Sequence, residues 1–396
     1  MGRFARRDPP GVTIGRGGAC AAGAVVIRDV LADCAVGGVP ACPLGAGDGV
    51  KRREMFVSII IPMRNEEAFV TKCLDSILAQ VEARPDVEIL CVDGASDDGT
   101  VEIVTEYVRG DARIRLLHNT QRIVPTAMNM AIREARGDVI VRLDCHAEYA
   151  PDYVSKCLEV LVRTDADSVG GYMRTLPGGD SAIGTAIAAA TSSRFGVGGS
   201  LFRTGGEEQE ADAIPFGCFR RDVFDRVGMY DERLVRNQDI DLYSRIRKGG
   251  GKIIVSPEIK LTYYNRSTYR GLRQQAFYNG LWNAYTLYLV RGALRLRHFV
   301  PLGFVLSILG LAVAGVFFRP MWIVLAGEVA IYLLVGAYMA RKAARRSGAC
   351  MWLILLSFIC LHVSYGFGSL LGILHGPSRF LFRELPSTGV PARRRD

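Results

Sequence analysis

Residues 57–67 read Val57-Ser58-Ile59-Ile60-Ile61-Pro62-Met63-Arg64-Asn65-Glu66-Glu67. Val57–Ile61 is a short apolar run of the kind expected for a strand buried on both faces. The polar residues that follow mark the strand's end. Beyond them Phe69, Val70, Cys73, Leu74, Ile77 and Leu78 recur at three- and four-residue spacing, which predicts a helix from about Glu66 to Gln80. The alternation continues outward. Glu88–Val92, Ile114–Leu117 and Val139–Leu143 read as strands, and Thr100–Val108 and Thr126–Ala135 as helices between them. Strand and helix in that order imply an α/β fold, a mostly parallel sheet with helices on both faces. Ligands of such sheets sit at the carboxyl ends of the strands.

The 396-residue chain is 49% hydrophobic, so a sizeable core is available, and its net charge of +9 is unevenly spread. Residues 1–258 carry 32 Lys/Arg against 37 Asp/Glu, whereas residues 259–396 carry 17 Lys/Arg against Glu328, Glu384 and Asp396. A nucleic-acid binder would place its basic residues on the folded domain. Here they flank apolar runs, which points to a membrane with anionic lipids as partner and to no nucleic acid. The ten cysteines include no C-x-x-C pair and read as reduced, in a cytosolic setting. Residues 1–54 read as a poorly structured leader without a signal peptide. Met55 is expected to be the natural start, so a chain beginning there keeps full activity.

The C-terminal part is organised differently. Phe299–Phe318 holds 20 residues without a charge, Met321–Ala340 another 20 with only Glu328, and Ala349–Leu374 26 uncharged residues. Each run is long enough to span a hydrocarbon core of about 30 Å. We therefore expect a catalytic domain over 55–258, a basic interfacial helical segment over 259–298, a transmembrane region over 299–376 and a basic tail over 377–396. Tyr263–His298 contains no acid, and its arginines alternate with Tyr269, Phe277, Trp282, Tyr285 and Tyr288, a composition that suits a helix lying among headgroups. Arg341, Lys342, Arg345 and Arg346 predict a cytoplasmic loop before the third run, and with it a cytoplasmic globular domain. Three full spans would export a tail holding Arg379, Arg383, Arg393, Arg394 and Arg395. A re-entrant hairpin broken near Gly366 and Gly368 is the alternative.

Four segments carry candidate chemistry, each at a strand end or opening a helix. They are Ile61–Glu67, Val92–Thr100, Arg142–Tyr149 and Arg236–Arg245. Asn65 reads equally as a helix cap, and Asp97 and Asp98 as turn and cap residues. Asp93, directly after a strand, is placed to accept a hydrogen bond from a ligand. Asp144 and His146 are two apart, so on an extended segment both reach one metal ion. Asp239 and Asp241 diverge by about 200° if helical, so only one of them faces the site. Leu242 and Ile246 mark that helix's buried side.

With these stretches quoted, the chain from Phe56 to Trp282 resembles the family 2 glycosyltransferases, of the nucleotide-binding type called GT-A. The resemblance is densest in VSIIIPMRNEE, VDGASDDGT, ARGDVIVRLDCHAEYAPDYV, FRRDVFDRVGMYDERL and NQDIDLYSRIRKGGGKI. RLDCHAEYAPDYV followed by GGYMRT is most similar to membrane-associated glucosyltransferases of succinoglycan-type exopolysaccharide synthesis. The resemblance implies that Pro62, Arg64 and Glu66 line the nucleotide pocket and that Asp93 accepts from the uracil N3–H. It implies Asp144 near ribose and metal, His146 as metal ligand, and Asp239 as catalytic base.

Two departures from the family pattern bear on mechanism. His146 stands where a carboxylate is usual, which predicts Mn²⁺ preferred over Mg²⁺. Gln238 replaces the Glu before the base. The processive Gln-x-x-Arg-Trp motif is absent from the stretch Gln274–Trp282, which implies one sugar per encounter. The expected activity is inverting transfer of one hexose from a UDP-sugar to a polyprenyl-diphosphate-linked saccharide at a bacterial inner membrane. The alternatives are transfer to bare polyprenyl phosphate, and a non-catalytic nucleotide-sugar-binding assembly subunit.

Overall fold

In a computed structural model, the structure describes residues 16, 19–20, 35–37, 42–43 and 55–375 other than 83 and 291. Arg291, most of the leader and the tail over 377–396 lie outside these residues. The chain divides into two units, Met1–Met55 and Phe56–Asp396. In the first, Ala19–Cys20 pairs in parallel with Ala35–Gly37, which pairs antiparallel with Cys42–Pro43. These short pairings fall in a stretch whose sequence shows no strand period.

The second unit is built on a nine-stranded sheet. Strands β1 (Val57–Met63), β2 (Val87–Asp93), β3 (Ile114–His118) and β4 (Val139–Arg142) are mutually parallel, in the order β4-β1-β2-β3. Between them run α1 (Val70–Val81), α2 (Thr100–Gly110) and α3 (Val124–Glu134). The expected elements are all present. Their ends move by up to four residues, most at α1, where Glu66–Phe69 form a turn before the helix. Val57, Ile59, Ile60 and Ile61 are wholly buried, as a strand covered on both faces requires.

After β4 the chain adds β5 (Ala147–Tyr149), α4 (Tyr153–Thr164) and β6 (Ser168–Leu176). Next come α5 (Ala182–Thr191), two single-turn helices α6 (Arg194–Val197) and α7 (Leu201–Thr204), and β7 (Gln209–Glu210). The domain closes with β8 (Cys218–Arg220), α8 (Asp222–Val227), α9 (Gln238–Lys248) and β9 (Ile253–Tyr264). β8 inserts antiparallel between β4 and β6, and β9 lies parallel to β6. Together these strands make the mixed, mostly parallel sheet expected of a GT-A domain. β9 carries the domain to Tyr264, beyond the boundary at 258 that the sequence predicts.

Four long helices follow: α10 (Tyr269–Leu289), α11 (Val300–Phe317), α12 (Pro320–Ser347) and α13 (Met351–His375). The helical segments Leu296–Phe317, Pro320–Ser347 and Met351–His375 are long and apolar enough to cross a membrane. α12 runs past its apolar stretch through Arg341, Lys342, Arg345 and Arg346. α13 is one continuous helix, so the alternative of a hairpin broken near Gly366 and Gly368 does not hold. These glycines serve packing instead: a Cβ at Gly368 would lie 2.0 Å from the Phe277 carbonyl oxygen, and one at Gly280 2.0 Å from that of Tyr365. α10 also departs from expectation, because Trp282 and Tyr285 are 2% and 1% exposed. Their rings meet edge-on at 5.5 Å and pack with Leu281, Tyr278 and the domain's Val235 rather than facing headgroups.

Candidate functional site

The register of the parallel strands decides where the loops emerge. Met63 pairs with Asp93 and Ile60 with Arg142, so the chain leaves the sheet side by side at Arg64, Gly94 and Leu143. All three loops lie at the carboxyl edge, as the alternation predicts. The first two are stapled together. Asn65, at φ 55°, donates from Nδ2 to Asp97 at 2.7 Å and accepts the Asp97 amide at 3.0 Å. The Glu66 amide donates to Thr100 Oγ1 (2.8 Å) and the Glu67 amide to Asp98 (3.2 Å). Asn65 therefore clamps two loops and caps no helix; Phe69 holds the N-cap position of α1. Asp98 also accepts the Thr100 amide (3.0 Å), closing the first turn of α2.

Asp93 is 2% exposed, and its carboxylate accepts the Ser96 amide (3.2 Å) and hydroxyl (2.5 Å). It thereby shapes its own turn. Pro62 lies in β1 opposite Val92, and Arg64 runs beside Gly94.

The third loop is organised by a largely buried cation, 12% exposed. Arg142 donates to both Asp144 oxygens, at 3.1 and 3.2 Å. Burial opposes its charge, yet Asp144, Tyr230 and Asp239 together hold its pKa above the ordinary value. One guanidinium thus reports that Asp144 and Asp239, 95 residues apart, share one neighbourhood. The Tyr149 hydroxyl accepts the Asp144 amide at 2.7 Å, fixing the turn. His146 Nδ1 lies 3.4 Å from Glu66 Oε1. Burial pulls its pKa down, but Glu66 and Asp144 outweigh burial and raise it.

Asp239 and Asp241 have separated as the helical period requires. Asp241 is 2% exposed and bound by Arg245 at 2.8 and 2.9 Å. Arg245 also donates to the Val227, Gly228 and Met229 carbonyls. Asp239 is half-buried at the first turn of α9 and accepts the Ile240 amide at 2.9 Å. Gln238 is buried with Oε1 lacking a hydrogen-bond partner. Leu242 and Ile246 are buried, as expected.

A set of cations, of which sequence reasoning missed Arg203, stands beside these carboxylates. Arg203 lies over the Tyr263 ring at 5.7 Å, and Tyr263 packs edge-on to His146 at 6.2 Å. Arg236 lies over Tyr278 at 5.7 Å and donates to Asn279 at 3.1 Å. The Arg266 charge bears on both His146 and Arg236. Burial lowers the pKa of Arg203 and of Arg236. Among the described residues no carboxylate pairs with Arg203, Arg236 or Arg266, so the cluster can accept an anion. Arg142 had one sequence signal, a charge at the end of the apolar run VIV. Arg236 opens the fourth candidate segment without a role assigned to it, and Arg203 had no signal, since only the fold brings it to the site.

Among the described residues no group of three or more His, Cys, Asp or Glu side chains could hold a metal ion. Asp144 and His146 offer one carboxylate and one imidazole, a donor set that fits a divalent ion whose remaining ligands come from a bound diphosphate. A cleft of about 450 Å³ is lined by Glu148, Tyr149, Tyr172, Arg174, Gly206 and Lys260 among others.

The comparisons agree with this architecture. Residues 58–228 match the model of glycosyl transferase family 2. The chain is 33% identical over 249 residues to the succinoglycan biosynthesis protein ExoA of Rhizobium meliloti, covering 62% of this chain and 74% of the relative. It is 28% identical over 335 residues to the dolichyl N-acetyl-alpha-D-glucosaminyl phosphate 3-beta-D-2,3-diacetamido-2,3-dideoxy-beta-D-glucuronosyltransferase of Methanococcus voltae, covering 82% and 99% respectively. Among solved structures, the mannosyltransferase PcManGT of Pyrobaculum calidifontis, in complex with GDP-Man and Mn²⁺, superposes with a TM-score of 0.49 at 20% identity, over 81% of this chain and 87% of that one. The chain belongs to glycosyl transferase family 2 and is a glycosyltransferase.

Proposed function

We propose that the chain transfers one hexose, with inversion, from a UDP-sugar to a polyprenyl-diphosphate-linked saccharide at the cytoplasmic face of a bacterial inner membrane, in synthesis of an exopolysaccharide or another surface glycan. The observation that carries this reading is the largely buried Arg142, which donates to both Asp144 oxygens at the carboxyl edge of the sheet and feels the charge of Asp239. Asp239 takes the proton of the acceptor hydroxyl. The hydroxyl oxygen bonds to the anomeric carbon as the bond from that carbon to the diphosphate oxygen breaks, and the nucleoside diphosphate leaves with the electron pair. Attack from the opposite face turns an α-linked donor into a β-linked product.

Asp144, held in place by Arg142 and Tyr149, faces the ribose and diphosphate, and Pro62, Arg64, Glu66 and Asp93 form the wall for the nucleoside. Asp144 and His146 would hold the divalent ion, which when bound neutralises the charge growing on the leaving diphosphate. Arg203, Arg236 and Arg266 supply cations for the acceptor's own diphosphate. A lipid-linked saccharide acceptor is supported by the name of the Methanococcus relative, nearly all of which the alignment covers, and by the apolar helices that follow the domain.

Donor binding tests the reading. The purified protein in detergent, titrated calorimetrically with UDP- and GDP-sugars in Mn²⁺, is expected to bind a UDP-sugar, and Asp144→Asn to weaken that binding at least tenfold. Equal affinity in the variant, or no binding of any nucleotide sugar, would remove the assignment.

A further inference from the structure

Three helices are apolar and long enough to span, but their packing separates them into two kinds. α11 and α12 form an antiparallel hairpin. Phe304 stacks on Tyr332 at 4.5 Å, Ser307 donates to Glu328 at 2.5 Å, and Gly315 abuts Trp322. Contacts at 304–332, 307–328 and 315–322 converge on the turn at Phe318-Arg319. The hairpin's outer half is apolar and outward-facing, with Val313, Val316, Phe317, Ile323 and Val324 exposed.

α13 lies elsewhere. It runs beside α10, in the same direction, for nearly its whole length. Tyr269 donates to the Leu353 carbonyl (2.8 Å), Ser369 to that of Gly280 (3.2 Å), and Tyr288 to that of Ile373 (3.3 Å). α10 is itself tied to the transferase domain throughout. Just ahead of it, Asn265 donates to Thr191 on α5 (2.6 Å). Along its middle, Arg236 donates to Asn279 (3.1 Å), and Asn237 to Asn283 (2.8 Å) and Thr286 (3.1 Å). Just beyond its end, Ser244 donates to the Gly292 carbonyl (3.3 Å) and Arg297 pairs with Asp212 (3.0 Å). α13 also touches the domain directly, with His362 2.8 Å from the Phe195 carbonyl oxygen.

If α13 crossed a bilayer, the end of α10 at Tyr288 would cross with it. The chain would then have to return within a few residues to reach Asp212 on the domain. A helix about 37 Å long that stays against the domain at both ends is not a span. We infer that, among the described helices, α11 and α12 are the two membrane spans, and that α13, paired with α10, lies along the membrane surface on the side of the transferase domain. One stripe of α13 is free to meet lipid. Trp352, Leu356, Phe367 and Leu374 are its exposed large apolar residues, and they fall within about 60° of helical arc. The occupant of this stripe is the acyl–headgroup boundary of the bilayer that receives the adjoining hairpin. Two spans also return the arginine-rich tail to the side of Arg341, Lys342, Arg345 and Arg346, which agrees with the positive-inside rule where three spans conflict with it.

The test reads sidedness in the full-length chain. One version carries an epitope after Asp396, another an epitope inserted between Arg319 and Pro320, and both are expressed in bacterial membranes and treated with protease as inverted vesicles or as intact spheroplasts. The C-terminal epitope is expected to be cut only in inverted vesicles, together with the transferase domain, and the epitope at 319–320 only in spheroplasts. Cleavage of the C-terminal epitope in spheroplasts would overturn the inference, as would cleavage of both epitopes on the domain's side. Neither readout depends on glycosyl transfer.

Discussion

Asp239 and Asp241 sit on one turn of α9 and are expected to fail in opposite ways when neutralised. Asp239→Asn keeps the shape and the acceptor that receives the Ile240 amide at 2.9 Å, at a half-buried position. Its stability cost is within about 0.5 kcal/mol. An amide cannot take the acceptor's proton, so loss of the base costs about 10²–10⁴ in turnover, or roughly 2.7–5.4 kcal/mol of barrier. Asp241→Asn removes the charge that answers Arg245 at 2.8 Å, beside a carboxylate only 2% exposed. Breaking a buried pair costs about 3–5 kcal/mol. Arg245 keeps three carbonyl acceptors and is partly exposed, which places the cost at the lower end. At about 2–4 °C per kcal/mol for a domain of this size, the midpoint falls by about 6–12 °C. Initial-rate transfer of labelled sugar at saturating donor, with thermal unfolding on the same preparations, measures both quantities. The reasoning fails if Asp239→Asn keeps turnover within threefold of wild type, or if Asp241→Asn takes the larger rate loss with an unchanged midpoint.

Asn237→Gly preserves the positive φ of 63° but cuts the bonds to Asn283 and Thr286, which tie the loop before Asp239 to α10. Turnover is expected to fall about tenfold, from two lost bonds of about 0.5–1.5 kcal/mol each, with donor affinity unchanged in calorimetry. Gly280→Val drives a side chain into the Tyr365 backbone and should cost about 3 kcal/mol, read as a lower midpoint and a broadened gel-filtration peak in detergent. Chelation should abolish transfer. Mn²⁺ should restore it better than Mg²⁺ because His146 contributes imidazole, and equal rates at saturation with both ions would remove His146 from the ligand set.

The sheet was legible because its strands are apolar on both faces. Val57–Ile61 could be buried nowhere else, and each polar loop after such a run had to emerge at the carboxyl edge. The divergence of Asp239 and Asp241 followed from the helical period alone. What stayed hidden depends on contacts between distant residues. Asn65 has the composition of a cap, but the neighbouring loop supplies Asp97 and Ser96 and turns it into a clamp. Trp282 and Tyr285 have the composition of a headgroup-facing belt, but they pack against Val235 of the transferase domain. Gly366 and Gly368 looked like a helix break; α13 is continuous there because those positions receive the backbones of α11 and α10, which no local pattern announces.

The central claim is that the site formed by Asp144, His146 and Asp239 moves a sugar from a nucleotide to a lipid. Membranes containing the chain, incubated with a panel of radiolabelled UDP- and GDP-sugars and then extracted with organic solvent, test it most directly. The account predicts label in the lipid extract from a UDP-sugar, reduced at least a hundredfold by Asp239→Asn. No label from any donor, or equal label with the variant, would contradict it.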